Sequence, residues 1–233
     1  MGEDERVESM AVVMATGVNL QGSREVLGLD VIPTESEEGW TQFFQGLRER
    51  GLAGVRRVVS DAHGGLKAAV RKMLKAGWQR CKVHICRNVL VHVAKRSQAA
   101  VSEAMRAVFV QRHEKSAKAK EAKVVRQFQS RFPEAMEVFE AGIDDALSDL
   151  HCPPSNWTRL SSNHPIERLN QDIRRRTRVA GIFPHRGACL RLIGMLLVER
   201  HEDWLNGDKA CLTFDDAPAE DSSSRLVSTA AGQ

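Results

Sequence analysis

Val55-Arg-Arg-Val-Val-Ser-Asp61-Ala-His-Gly-Gly65 is the stretch on which the fold turns. Its valines predict a short strand over 55–60 that stops at Asp61, and the Gly64-Gly65 pair predicts a turn into a helix from about Leu66 to Lys75. An Asp at a strand end, directly before a turn, stands where open α/β sheets present their functional groups. The same residue also suits a cap on the following helix, and both readings stay open on sequence alone.

Upstream, Met10–Val18 and Arg24–Ile32 are apolar, β-branched runs separated by Asn19-Leu-Gln-Gly-Ser, the pattern of an antiparallel hairpin. Thr34 to Ser36 supply capping hydroxyls, Glu35, Glu37 and Glu38 follow, and Trp40, Phe43, Phe44 and Leu47 recur at helical spacing up to Gly51. Downstream, Gln79–Val83 predicts one more short strand. From about Ile85 to Leu150 strand signals vanish and Ala, Lys, Glu and Arg set a helical pattern. A loop follows at His151-Cys-Pro-Pro-Ser-Asn. A helix then opens near Asn163–Pro165, Gly181-Ile-Phe-Pro stops it, and a last helix runs from about Gly187 to Trp204. Beyond Asp215 the Asp, Ala, Pro and Ser-rich stretch has little to bury and is expected to be disordered.

Composition bounds the function. The chain has 233 residues, 42% of them apolar, enough to fill a core, with four Trp, eight Phe and no Tyr. No apolar run reaches the roughly 20 residues that span a bilayer; the longest, Leu190–Val198, already contains Arg191. The acidic start, Met1-Gly-Glu-Asp-Glu-Arg, is not of signal-peptide type, and five irregularly spaced cysteines suit a reducing compartment, so a cytoplasmic protein is expected. The net charge of +4 understates the basic character. Between Asp61 and Glu103 stand Lys67, Arg71, Lys72, Lys75, Arg80, Lys82, Arg87, Lys95 and Arg96 and no acid. Such a field attracts polyanions, nucleic acid above all, although a solvated basic face without a partner reads the same way.

Glu167 falls in the first turn of the helix that continues into Arg174-Arg-Arg-Thr-Arg178. At helical spacing Glu167, Asn170, Gln171, Arg174 and Arg178 share one face, and Ile166, Leu169 and Ile173 another. The carboxylate reads either as a surface salt-bridge partner or as a cation ligand flanked by arginines that hold phosphates. Cys81, His84 and Cys86 stand close together, but no second Cys or His pair is spaced to complete a four-ligand zinc site. They are therefore read as packing or orienting residues, with a structural zinc module as a weaker alternative.

Three segments together resemble the Mutator-type transposases of bacterial insertion sequences. These are Ala15-Thr-Gly-Val-Asn with Arg24-Glu-Val-Leu-Gly-Leu; Val59-Ser-Asp-Ala-His-Gly-Gly-Leu with Trp78-Gln-Arg-Cys-Lys-Val-His; and Ser162-Asn-His-Pro-Ile-Glu-Arg-Leu-Asn running through Ile173-Arg-Arg-Arg-Thr-Arg-Val-Ala-Gly-Ile-Phe-Pro. They occur in the family's order. The resemblance implies an α/β, ribonuclease-H-like fold with two Asp and one Glu, and a helical insertion between the second and third acidic positions. Asp61 matches the second acid and Glu167 the third; Cys81 and His84 match a family signature of unknown role. It further implies Mg²⁺ or Mn²⁺ as cofactor, double-stranded DNA as partner at element ends and target, and a homo-oligomer or full-length transposase as protein partner, with no membrane. Arg168, Arg174, Arg175, Arg176, Arg178, Lys67, Arg71 and Lys72 become the DNA-binding candidates.

On this reading 1–84 is a partial core, 85–150 the insertion, 151–206 the C-terminal core helices and 207–233 a disordered tail. The family's first Asp has no counterpart: Asp4 lies too near the hairpin to stand on the strand that should carry it. The expectation is thus an incomplete fold and a fragment of a transposase, or alternatively a non-catalytic DNA-binding product that dampens the full enzyme. Without that strand the hairpin and the strand ending at Asp61 would expose unpaired edges, an aggregation hazard and a cause of marginal stability unless Met1–Val7 or another chain fills the gap.

Overall fold

The computed structural model describes residues 7–151, 164–207, 211–212 and 225–232. The predicted loop at 152–156 and most of the tail lie outside them, as do Asp4 and Asn163. Strands β1 (Ala11–Val18) and β2 (Arg24–Ile32) form the expected antiparallel hairpin. Asn19 closes it: its carbonyl accepts from Gly22 N at 2.9 Å and its side-chain oxygen from Ser23 N at 3.0 Å. Gly22 takes φ 80°, a conformation that side chains resist. Both faces of β1 are covered, because Val13 and Ala15 enter one core while Met14 enters another, the two-residue period of a strand.

Helix α1 (Glu37–Glu49) begins where Ser36 Oγ accepts from Gly39 N at 3.2 Å. Its stripe of Trp40, Phe43, Phe44 and Leu47 is buried against Val13, Ala15 and Val58, with the Trp40 and Phe44 rings stacked at 5.9 Å. β3 (Val55–Ser60) leads into α2 (Gly64–Ala69), which continues as a π-helical turn over Val70–Leu74 and ends at Lys75 with φ 51°. β4 (Gly77–Arg80) then pairs in parallel with β3, from Arg57↔Gly77 to Ser60↔Arg80. The strand predicted over 79–83 is corrected here. β3 stops at Ser60, so nothing remains for residues 81–83 to pair with, and α3 (Lys82–Val91) starts instead.

The helical stretch that follows comprises α3, α4 (Gln98–Phe109), α5 (Glu114–Phe128) and α6 (Pro133–Leu147), which enclose a core of their own around Met105, Phe128, Met136, Phe139 and Ile143. A buried ion pair, Lys82 Nζ to Asp149 Oδ2 at 2.5 Å, ties the start of α3 to the chain after α6. On the opposite face of the sheet lie α7 (His164–Ala180) and α8 (Arg186–Leu205). α7 buries the predicted stripe of Ile166, Leu169 and Ile173 against Met14, Val31, Ile193, Leu196 and Leu197.

The expected disordered tail is corrected over its last part: Arg225–Gly232 form strand β5. The sheet order is β2-β1-β5-β3-β4, with β5 antiparallel to β1 and parallel to β3. The last strand of the sequence is therefore the middle strand of the sheet. The exposed edges expected of β1 and β3 are corrected with it, since each side of the slot presents backbone donors and acceptors that a strand satisfies. Cys211 N donates to Gly22 O at 2.6 Å, so the chain after α8 is tied to the hairpin turn, close to where Leu226 pairs with Val18. No described helix is long and apolar enough to cross a membrane.

Candidate functional site

Asp61 follows β3 directly and is half-buried. Its turn is pinned from several sides. Ser60 Oγ donates to the Asp61 carbonyl at 2.8 Å and accepts from Trp78 Nε1 at 2.8 Å; His63 N donates to the same carbonyl at 3.0 Å, and Cys81 N to Ser60 O at 2.7 Å. The ends of two parallel strands and the start of α3 thus meet beside one carboxylate.

Glu167 comes from the other end of the sequence. The buried stripe of α7 fixes that helix on the sheet and leaves Glu167 facing α3, its side chain 13% exposed. Arg87 on α3 grips it with both guanidinium nitrogens, Nη1 to Oε1 at 2.7 Å and Nη2 to Oε2 at 3.2 Å. One turn earlier on α3, His84 Nε2 lies 3.6 Å from Glu167 Oε1. A side-chain hydrogen bond with Cys81 holds the His84 imidazole above its ordinary range; burial opposes this, and the charges of Cys81, Asp61 and Glu167 add to it. Asp61 and Glu167, far apart in sequence, therefore bear on the same imidazole. Cys81 and His84 lie on the segment that leads from the strand ends beside Asp61 to the side chain of Glu167.

Two further charged residues belong to this neighbourhood and were not singled out from sequence. Burial raises the Glu35 carboxyl above its usual range; the charge of His63 lowers it and that of Asp61 raises it further. The proximity has a steric cause. A Cβ on Gly65 would stand 2.5 Å from Glu37 N and 2.8 Å from the Ser36 carbonyl carbon, so the bare Gly65 lets α2 press against the start of α1. Arg80, at the end of β4, is buried; desolvation lowers its guanidinium from the ordinary value, against the charges of Asp145 and Asp61. It fits there because Gly142 has no side chain: a Cβ at that position would overlap the Arg80 guanidinium. An acid directly before a capped helix was the available signal for Glu35. Nothing local marked Arg80.

The basic run is one-signed in sequence and not in space. Lys82 is paired with Asp149, Lys67 Nζ lies 2.8 Å from Asp145 Oδ2 and 4.5 Å from the Trp78 ring centre, and Arg80 is buried. The acids that compensate it arrive from α6 and the turn after it. Arg71 and Lys72 are exposed, as are Arg168, Arg174, Arg175, Arg176 and Arg178 on α7. Of these, Arg175 lies 3.6 Å from Asp172 and Arg176 3.6 Å from Glu199.

Divalent cations such as magnesium take hard oxygen ligands. Asp61 and Glu167 supply that chemistry, yet as they stand they do not fit such an ion. Arg87 occupies both oxygens of Glu167, β5 contains no acid beside Asp61, and among the described residues no three His, Cys, Asp or Glu side chains are grouped to hold a metal. Burial pushes the neighbouring Cys86 thiol up to about 11, which keeps it protonated near neutrality.

Similarity to known proteins places the chain in a family. The chain is 39% identical over 203 residues to the transposase for insertion sequence element IS1081 of Mycobacterium tuberculosis, covering 87% of this chain and 49% of that relative. It is 37% identical over 204 residues to the transposase for insertion sequence element ISRM5 of Rhizobium meliloti, covering 87% and 51%. Against the transposase for insertion sequence element IS256 in transposon Tn4001 of Staphylococcus aureus it is 35% identical over 216 residues, covering 91% and 55%. The chain spans about half the length of the curated relatives it matches. The family model described as "Transposase, Mutator family" matches residues 1–207, a span that holds Asp61, Cys81, His84 and Glu167, and the chain belongs to that family.

Proposed function

We propose that this chain acts in DNA transposition, in metal-dependent cleavage and transfer of DNA strands, with Asp61 and Glu167 as the carboxylates of the reaction centre. This reading is supported by His84, which lies 3.6 Å from Glu167 and whose imidazole the charge of Asp61 also raises, in a chain of a transposase family. We read the five-stranded mixed sheet, flanked by α1 and α2 on one face and α7 and α8 on the other, as ribonuclease-H-like. Residues 85–150 are its helical insertion, and 1–84 with 151–206 its core.

The exposed arginines of α7, Arg168, Arg174, Arg175, Arg176 and Arg178, are the proposed contacts to DNA phosphates, because a guanidinium fork matches a phosphate as it does a carboxylate. Arg71 and Lys72 add charge from the end of α2. Lys67 is a lesser contributor, its charge being shared with Asp145. Cys81 positions His84, and His84 orients Glu167 from below. Mg²⁺ or Mn²⁺ is the proposed cofactor.

The test is strand cleavage on duplexes carrying the ends of the element, with Asp61→Asn and Glu167→Gln beside the parent chain. Each substitution is expected to lower the rate at least about a hundredfold, about 2.7 kcal/mol in barrier. Full activity of Asp61→Asn removes Asp61 from the site.

A further inference from the structure

Helix α8 is apolar on the side turned away from the sheet as well as on the side that packs. Cys189, Ile193, Leu196 and Leu197 are buried in the core with Met14, Val31 and Ile166. Met195, Val198 and Leu205 nevertheless stand 64%, 51% and 49% exposed. Arg191 and Glu202 are exposed too, and the five residues recur at alternating steps of four and three along the helix, the spacing of a coiled-coil seam. We propose that this stripe docks a second copy of the chain, α8 against α8 in antiparallel order, about a two-fold axis between Leu196 and Leu197.

Two observations select a second copy as the occupant. The stripe is its own complement: turned end for end about its midpoint, Arg191 falls opposite Glu202, Met195 opposite Val198, and the small Ala188 opposite Leu205. A two-fold contact requires such a match, because both copies present the same patch. The charges of α8 point the same way. Arg186 is held by Asp30, Glu199 by Arg176, and Arg200 by Asp172 and Asp203. Arg191 and Glu202 enter no ion pair among the described residues. They stand about 16 Å apart along the helix axis, too far to pair with each other. In the antiparallel pair each Arg191 meets a Glu202 of the second copy, so both are answered twice over. The buried side of α8 fixes the helix on the sheet, so the stripe is formed before the copies meet. One helix pair is a small interface, of the kind that forms weak and reversible complexes.

The experiment is sedimentation velocity on the full chain over a concentration series, for the parent, Arg191→Glu, Glu202→Arg, the double variant and Met195→Glu. None of these residues belongs to the site proposed for strand cleavage, so the outcome is independent of that reading. The parent is expected to pass from monomer to dimer as concentration rises. Arg191→Glu or Glu202→Arg alone turns two attractions into two repulsions and should weaken association about tenfold. An equimolar mixture of those two variants should associate like the parent, because each chain then complements the other, and so should the double variant. Met195→Glu, which sets charge beside the two-fold axis, should weaken association at least about tenfold. Circular dichroism melts of the monomers should match the parent, since every altered side chain is exposed, and so separate association from folding.

Three results overturn the proposal. A parent that remains monomeric at every concentration refutes the contact. A dimer that Met195→Glu and both charge variants leave intact lies on another face. Weakening in both single charge variants with no recovery in their mixture or in the double variant refutes the antiparallel register.

Discussion

Two adjacent glycines offer a matched test of how the site is built. Gly64 and Gly65 both lie in the first turn of α2, but an added Cβ meets nothing within 4 Å at Gly64, while at Gly65 it would stand 2.5 Å from Glu37 N, 2.8 Å from Ser36 C and 3.1 Å from Glu37 Cα. All three atoms are backbone, so no side-chain rotation relieves the contact. Alanine at either position gains up to about 1 kcal/mol from reduced freedom of the unfolded chain and better helix propensity. At Gly65 that gain is set against overpacking, which costs typically about 1–3 kcal/mol. Gly65→Ala is thus expected to be about 1–2 kcal/mol less stable than the parent and Gly64→Ala neutral or more stable. For a chain of this length about 1 kcal/mol moves the melting temperature by about 2–4 °C, so the two variants should separate by several degrees in calorimetry. The contact also sets where Glu35 lies against Asp61 and His63. Separation of α2 from α1 in Gly65→Ala should let the Glu35 carboxyl return toward its ordinary range, which a carboxyl-edited NMR titration reads. Equal stability of the two alanine variants would refute the reasoning, because their only difference is the close approach to α1.

Other consequences are as direct. Asp149→Ala leaves Lys82 buried without its partner and should cost about 3–5 kcal/mol by urea unfolding, whereas replacing both residues with apolar ones should recover most of the loss. Deleting 225–232 removes the middle strand and leaves β1 and β3 with open edges, so the shortened chain should aggregate at concentrations where the parent stays monodisperse by light scattering. The His84 imidazole is raised in the folded state above 6.5, so its interactions stabilise the fold fully below that pH and are lost as pH rises through the raised value. Chemical unfolding of the parent and His84→Gln should therefore converge toward alkaline pH and diverge toward acid; a constant difference across that window would contradict the assignment.

Local pattern made a good part of this molecule legible. The apolar, β-branched runs of the hairpin, the aromatic stripe of α1, the short strand ending at Asp61 and the buried stripe of α7 all follow from residues within a few positions of one another, because burial imposes a composition or a period that neighbours alone can display. The family was legible too, through three segments whose order no local rule explains. The approach of Glu167 to His84 and Arg87 needed the packing of α7 on the sheet, and the arrival of Glu35 near Asp61 needed the absent side chain of Gly65. The basic run misled for a related reason: Asp145 and Asp149, which answer Lys67 and Lys82, come from a helix and its exit that sequence spacing cannot relate to them. β5 is the clearest case. Rich in small residues and preceded by a polar stretch, Arg225–Gly232 carries little strand signal of its own; what makes it a strand is the slot between β1 and β3, whose unpaired backbone groups exist only once the rest of the sheet has formed.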